Sequence, residues 1–278
     1  MRLLPILLAS LMLLFPVVTH ATTWYVPSQC PTIQAGIDSA SAGDTVLVAC
    51  GTYYDCTHPC PQPEGGVACV IMKSGVTLRS ETGEADCVTI NADSLGRGIW
   101  CQYASHPPTI EGFTITRGTA RTGGGVFWDG CSPRIVNCVF SSNWGEMGGG
   151  MVLVGDSARI ENCVFSDNVA WLDGGAISCT GGEFVLHGCS FSNNAGGSMG
   201  GAGIECWVAS LTLTNCTFSG NYDTYYSIKG GGLYCERSPT TATGCLFLNN
   251  SAFQGGGVSC SGSTATFTNC VFSGEGVL

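Results

Sequence analysis

Across residues 110–272 the apolar positions fall into a repeating figure. A Cys is followed two positions later by Phe and five positions later by Asn, and Gly-rich polar residues then separate it from the next apolar run. Anchored on the Cys, the series runs Cys138, Cys163, Cys189, Cys216, Cys245 and Cys270, with Phe113 as an earlier variant. The steps from Phe113 onward are 25, 25, 26, 27, 29 and 25 residues. The Phe set is Phe140, Phe165, Phe191, Phe218, Phe247 and Phe272; the Asn set is Asn143, Asn168, Asn194, Asn221 and Asn250. Ten residues before each anchor stands another position: Trp128, Leu153, Cys179, Cys206, Cys235 and Cys260. Because that spacing never varies, all length variation is confined to one loop between the Asn and this position. A period of this size marks a stacked-repeat architecture.

Cys and Phe at alternate positions share one face of a short strand. Ile160, Leu211, Leu213 and Phe267 keep the opposite parity before the anchor, so the chain must turn just ahead of the Cys. The residue there is Asn137, Asn162, Asn215 or Asn269, or else Gly188 or Gly244, types that tolerate left-handed backbone angles. Three short strands per ~25-residue coil follow. No such coil buries a face alone. Stacked in parallel at ~4.8 Å, coils bury ladders of like residues, and stacked Asn amides bond the amides above and below. The pattern predicts an all-β parallel β-helix; the blades of a β-propeller need repeats of ~40 residues or more. Ahead of the repeats, Trp24-Tyr25-Val26 reads as a strand and residues 32–40 as a short capping helix with Thr32 as its N-cap. Val46-Leu47-Val48 then begins the first coil, whose open edge the helix would cover.

Phe-x-x-Asn at Phe140, Phe165, Phe191, Phe218 and Phe247 is followed by Gly174-Gly175-Ala176-Ile177 and by variants at Gly148, Gly200, Gly230 and Gly255. These phrases resemble the repeats of polymorphic outer-membrane proteins and, more broadly, right-handed parallel β-helix proteins of the pectate-lyase-like type. The resemblance implies a right-handed, single-stranded solenoid. It leaves activity open, since that group includes adhesins and surface passengers as well as polysaccharide lyases and hydrolases.

Composition narrows the setting. Charged residues are 11% of the chain and the net charge is −10, which argues against nucleic acid and anionic membrane surfaces as partners. Arg2, the apolar residues 3–18 and Thr19-His20-Ala21 form a signal peptide over residues 1–21, and no later segment is apolar enough to span a membrane. An exported protein at the cell surface or outside it, outer-membrane association included, is expected. The mature chain, 22–278, reads as one β-helix domain, with a cap and irregular coils over 22–109 and regular repeats over 110–278. It stops six residues past Phe272, in mid-coil, so a truncated product or fragment is expected. Nothing specifies an oligomeric state.

In an oxidising compartment the 18 cysteines need assigning. Stacked ladder neighbours at ~4.8 Å exceed the usual Cβ separation of a disulfide, ~3.8 Å, so the anchor ladder and the second ladder (Cys101, Cys179, Cys206, Cys235, Cys260) read as buried thiols. Cys30 with Cys50 would close the cap helix onto the first strand, and Cys56, Cys60, Cys69 and Cys87 could form two more bridges of open connectivity. Cys56-x3-Cys60 around His58 approaches zinc-ligand spacing. Pro59 and Pro61 stiffen that loop, and a disulfide is the preferred reading. No metal or cofactor is expected.

Polysaccharide cleavage requires convergent ionisable groups: two carboxylates ~5–9.5 Å apart for hydrolysis, or a base with a cation for elimination. Arg134 and Arg159 form the one basic pair in register. His106 and His187 have no carboxylate partner in register, and Asp173 reads as a solvated loop residue. The variable loop carries aromatics that stacking would align along one edge of the rod: Trp144, Trp171, Tyr222, Tyr225 and Tyr226. Loops on a rigid scaffold commonly hold binding residues. Leu172, Met199, Ile228 and Phe253 share one offset and should fold back over the Gly-rich strand. The sequence therefore favours a non-catalytic, adhesive or carbohydrate-binding β-helix whose partner is a polysaccharide or cell-surface glycan. A polysaccharide lyase or glycoside hydrolase, and a purely structural surface rod, remain open alternatives.

Overall fold

The structure, a computed structural model, describes residues 20–61, 65–155, 157–224 and 229–277. The signal peptide expected over residues 1–21 lies outside the described residues except for His20 and Ala21. The chain winds as a parallel solenoid whose walls are four sheets. The first has ten strands, Thr23–Val26 to Ala265–Thr268; the second has nine, Gly51–Tyr53 to Val271–Ser273. The third has seven, Thr119–Thr122 to Gly276–Val277, and the fourth nine, His58–Pro59 to Val258–Ser261. One coil visits all four in turn: Arg134–Val136, Val139–Ser141, Trp144–Met147 and Met151–Val154. The three strands expected per coil are thus joined by a fourth, often two residues long, directly after the Asn.

The turn before each anchor is left-handed, with φ of 51° to 53° at Asn137, Asn162, Asn215 and Asn269 and 63° to 65° at Gly188 and Gly244. It keeps side chains pointing inward on both sides of the corner. A second left-handed corner, unforeseen, stands just before each ladder Asn, at Ser142, Asp167, Asn193, Gly220 and Asn249.

Inside, like sits on like. Phe140, Phe165, Phe191, Phe218, Phe247 and Phe272 stack face to face with centroids 4.6 to 5.0 Å apart. Each such contact contributes ~0.5–1.5 kcal/mol beyond the area it buries. The anchor cysteines are free thiols, buried from Cys138 to Cys245. Cys101, Trp128, Leu153, Cys179, Cys206, Cys235 and Cys260 form one register column of the fourth sheet.

The buried Asn amides from Asn168 to Asn250 are fully engaged. Asn143 donates through Nδ2 to Asn168 Oδ1 at 3.0 Å, and the pattern continues through Asn194, Asn221 and Asn250 at 2.8 to 3.0 Å. The other Nδ2 proton goes to a backbone carbonyl of the preceding coil, such as Phe140 for Asn168. Each Oδ1 also accepts a backbone N–H, first from Gly118 and then from the preceding ladder Asn. The corner asparagines before the cysteines differ: Asn162 donates to Asn137 Oδ1 at 3.5 Å at an exposed site, and Asn137 donates to the Gly83 carbonyl at 3.3 Å.

At the N-terminal end the helix Ile33–Ser39 is capped by Thr32, whose hydroxyl accepts from the Ala35 N–H, and it buries Ile33 and Ile37. The disulfides are Cys50–Cys87 and Cys56–Cys69. This corrects the expected Cys30–Cys50 bridge and leaves Cys30 and Cys60 as buried free thiols. Gly51 pairs with Val88 in register, so Cys50 and Cys87 meet one residue earlier, at the corner, where their Cα atoms are 4.5 Å apart. Stacked neighbours can therefore bridge where the chain bends.

Asn194→Ala strips partners from several buried polar groups at once. It should cost ~3 kcal/mol or more, because each unsatisfied buried group costs about 1–3 kcal/mol. Asn162→Gly, at an exposed left-handed corner, should cost less than ~1 kcal/mol. Urea unfolding of the two variants beside the parent measures the contrast.

Candidate functional site

The third sheet follows directly from the Asn ladder. Each ladder Asn is pinned inward, so the next residue points outward, and these residues align: Thr119, Trp144, Val169, Ala195, Tyr222 and Ser251 are register partners. Trp144 and Tyr222 are exposed, Val169 between them is partly buried and Ala195 is buried. Three coil steps of ~4.8 Å separate the two aromatics, a span of about 14 Å. The position one after the ladder Asn is the sequence signal for this column.

Trp171, half exposed, stands two residues beyond Val169. Its N–H donates to the Gly145 carbonyl at 3.0 Å and its own carbonyl accepts from Ser198 at 3.1 Å. Gly197 packs directly on the Trp171 backbone, where a side chain would collide. Trp144, Val169, Ala170, Trp171 and Thr224 line an open groove of about 290 Å³. None of the five is ionisable. Thr224 is fixed by donating to the Gly196 carbonyl at 2.7 Å. Nearby, Arg121 is paired to Glu146 at 3.3 Å. The structure thus brings Trp144 and Trp171 together and sets Tyr222 in the same column; Tyr225 and Tyr226 lie outside the described residues. Met199 and Phe253 are exposed, not folded over the Gly-rich strand, while Leu172 is partly buried; Ile228 is outside the described residues.

A second cluster lies on the outer face of the fourth sheet, where Ser178, Glu205, Tyr234 and Ser259 form one column. Ser178 donates to Glu205 Oε2 at 2.9 Å, and the Tyr234 hydroxyl donates to Glu236 Oε2 at 2.8 Å. Lys229 Nζ sits 5.7 Å from the Tyr234 ring centroid. Gly200 abuts both the Asp173 backbone and the Glu205 side chain. Burial, then the charge of Asp173, pushes the Glu205 carboxyl up to about 8 against the opposing Ser178 bond, with Glu236 adding a smaller rise. Burial lifts Asp173 to about 6. Asp173 is therefore partly desolvated, not the freely solvated residue expected. The basic pair is as expected, with Arg134 and Arg159 in register on the first sheet. Arg134 is bound to Glu161 at 2.8 Å. Among the described residues no group of three or more His, Cys, Asp or Glu is placed to hold a metal ion, and no helix is long and apolar enough to cross a membrane.

A family model described as a right handed beta helix region matches residues 67–210 and again 124–277. Among solved structures, the pectin methylesterase from Aspergillus niger is similar at 14% identity and a TM-score of 0.52, over 92% of this chain and 86% of that one. The pectate lyase Pel9A is similar at 12% identity and a TM-score of 0.51, over 92% and 79%. These likenesses concern the fold. A search of the curated proteins finds no match.

The carboxyl pair makes stability depend on pH. Folding raises the Glu205 pKa from 4.5 to about 8. Across that window the folded chain holds a proton that the unfolded chain releases, so stability is full below the window and falls as pH rises through it. Asp173 acts the same way in the lower part. The melting temperature should drop from pH 5 to pH 8, and Glu205→Gln should flatten the drop and raise stability at pH 8, by on the order of a few kcal/mol. Thermal melts of both proteins across this pH range check it.

Proposed function

The chain belongs to the right-handed β-helix family, and on that premise we propose that it is an exported, non-catalytic carbohydrate-binding protein whose ligand lies along the third sheet. One observation carries the reading: an open groove walled by Trp144 and Trp171 and lined by no ionisable group. Aromatic side chains offer a broad apolar face with little conformational entropy to lose, which suits the apolar faces of sugar rings. The rigid coils below hold that face in place before ligand arrives. Export is supported by the two disulfides, which form and persist in oxidising compartments. The similar structures are named for pectin and pectate, which makes polysaccharides the first ligands to test.

Hydrolysis fits the geometry less well. A glycosidase places its carboxylates at the groove that holds the sugar. Here Glu205 stands on the fourth sheet and Asp173 in the loop leading to it, and the groove on the third sheet has no carboxylate among its lining residues.

Retention on insoluble and immobilised polysaccharides tests the reading. Trp144→Ala and Trp171→Ala should each weaken retention about tenfold, the loss of ~1.4 kcal/mol, with melting temperature unchanged. New chain ends in the polymer would show catalysis and overturn it. Retention unaffected by both substitutions would move the site elsewhere.

A further inference from the structure

Resting on that reading, we infer that the ligand is a neutral polysaccharide, and that it extends from the aromatic groove onto the outer face of the second sheet. The second sheet adjoins the third across the Asn corner, and none of its nine strands contains a charged residue. One outward column runs Asn91, Thr116, Ser141, Ser166, Ser192, Ser219, Leu248 and Ser273. The other holds only Thr, Val, Ser and Leu from Thr52 to Val271. The first sheet is the opposite, with ion pairs Arg79–Glu111 and Arg134–Glu161 standing on its outer face. The second sheet therefore offers short hydroxyls and methyls in rows that repeat at the coil spacing, ~4.8 Å. The strands themselves can hydrogen-bond a hydroxylated chain without stripping water from a charge; at the corner the chain passes Asp167 and the Arg117–Asp93 pair, which stay exposed.

Electrostatics at the groove point the same way. Arg121, on the same sheet, is paired with Glu146 at 3.3 Å, and no cation is among the residues lining the groove. Asp173 follows Trp171 by two residues, and the sequence as a whole carries −10. Like charges suppress association, and the described residues lining the groove include no cation to offset repulsion of a uronate polymer.

The test uses the chain from Thr22 on insoluble cellulose, insoluble chitin, immobilised neutral mannan and immobilised polygalacturonate, at low and high salt. Retention on a neutral polymer, insensitive to salt, with polygalacturonate unbound, is the expected result. Ser166→Lys with Ser192→Lys should weaken that retention about tenfold, ~1.4 kcal/mol, while the melting curve stays that of the parent. Preferential retention on polygalacturonate, lost with Trp171→Ala, would overturn neutrality and leave the carbohydrate reading standing. Neutral retention unchanged by the two lysines would overturn the role of the second sheet. No retention on any polymer would overturn both this inference and the function it rests on.

A separate observation concerns Cys101 and Cys131. Their sulfurs are 3.2 Å apart and both residues are buried. The geometry points to a third disulfide here, closed by exchange with an external disulfide: two thiols and one RSSR give the Cys101–Cys131 bond and two RSH. Protein matured in an oxidising compartment, denatured and alkylated without reductant, should yield a linked Cys101–Cys131 peptide and no label at either residue. Cys131→Ser should lower the melting temperature of oxidised protein and leave that of reduced protein nearly unchanged. Labelling of both thiols, beside an unlabelled Cys50–Cys87 pair, would overturn the assignment.

Discussion

A primary amide has two protons to give and an oxygen that can accept twice, and burying it leaves a debt unless all four sites are met. Asn168 to Asn250 meet them through the coil above, the coil below and the backbone alongside. Much else depends on this. The ladder locks vertical register between coils, because a slip would break every amide bond together. Register keeps Phe over Phe and thiol over thiol. It also forces the residue after each Asn outward, which is how Trp144 and Tyr222 come to share a column.

Much of the wall was legible in the sequence because its parts recur at fixed spacing. The Phe stack, the anchor thiols, the left-handed corners at Asn137 and Gly188 and the helix cap at Thr32 all follow from offsets of two, five or ten residues and from backbone preference. Features that join different offsets were not legible. Asp173 meets the surroundings of Glu205 by reaching from a loop to a strand of the next coil, and no periodic comparison aligns those two positions. Cys50 and Cys87 come together across 37 residues of the irregular first coils, where an insertion hides the register that Gly51 and Val88 reveal. The fourth strand escaped notice because two residues such as Val169 and Ala170 carry too little pattern to mark a strand.

The division of labour follows from where the chain is free to vary. Between the ladder Asn and the Gly-rich turn, coil length changes from one repeat to the next without disturbing the frame, and Trp171 sits in that interval. The second sheet has no such freedom: three residues span it in most coils, and the middle one is committed to the Phe stack. Diversity therefore gathers on the third sheet and uniformity on the second. A groove of particular shape beside a plain repetitive face is the outcome.

In all four walls the hydrogen bonds run along the rod, each coil bound to its neighbours by the same short ladders. A tether pulling on one end thus loads one inter-coil seam before the next. The seams give way in series, each releasing a length of slack chain on the order of 80 Å for ~25 residues at ~3.3–3.6 Å apiece. A rod anchored at one end and gripping a surface at the other would behave as a shock absorber, dissipating a sudden tug by unspooling instead of letting go.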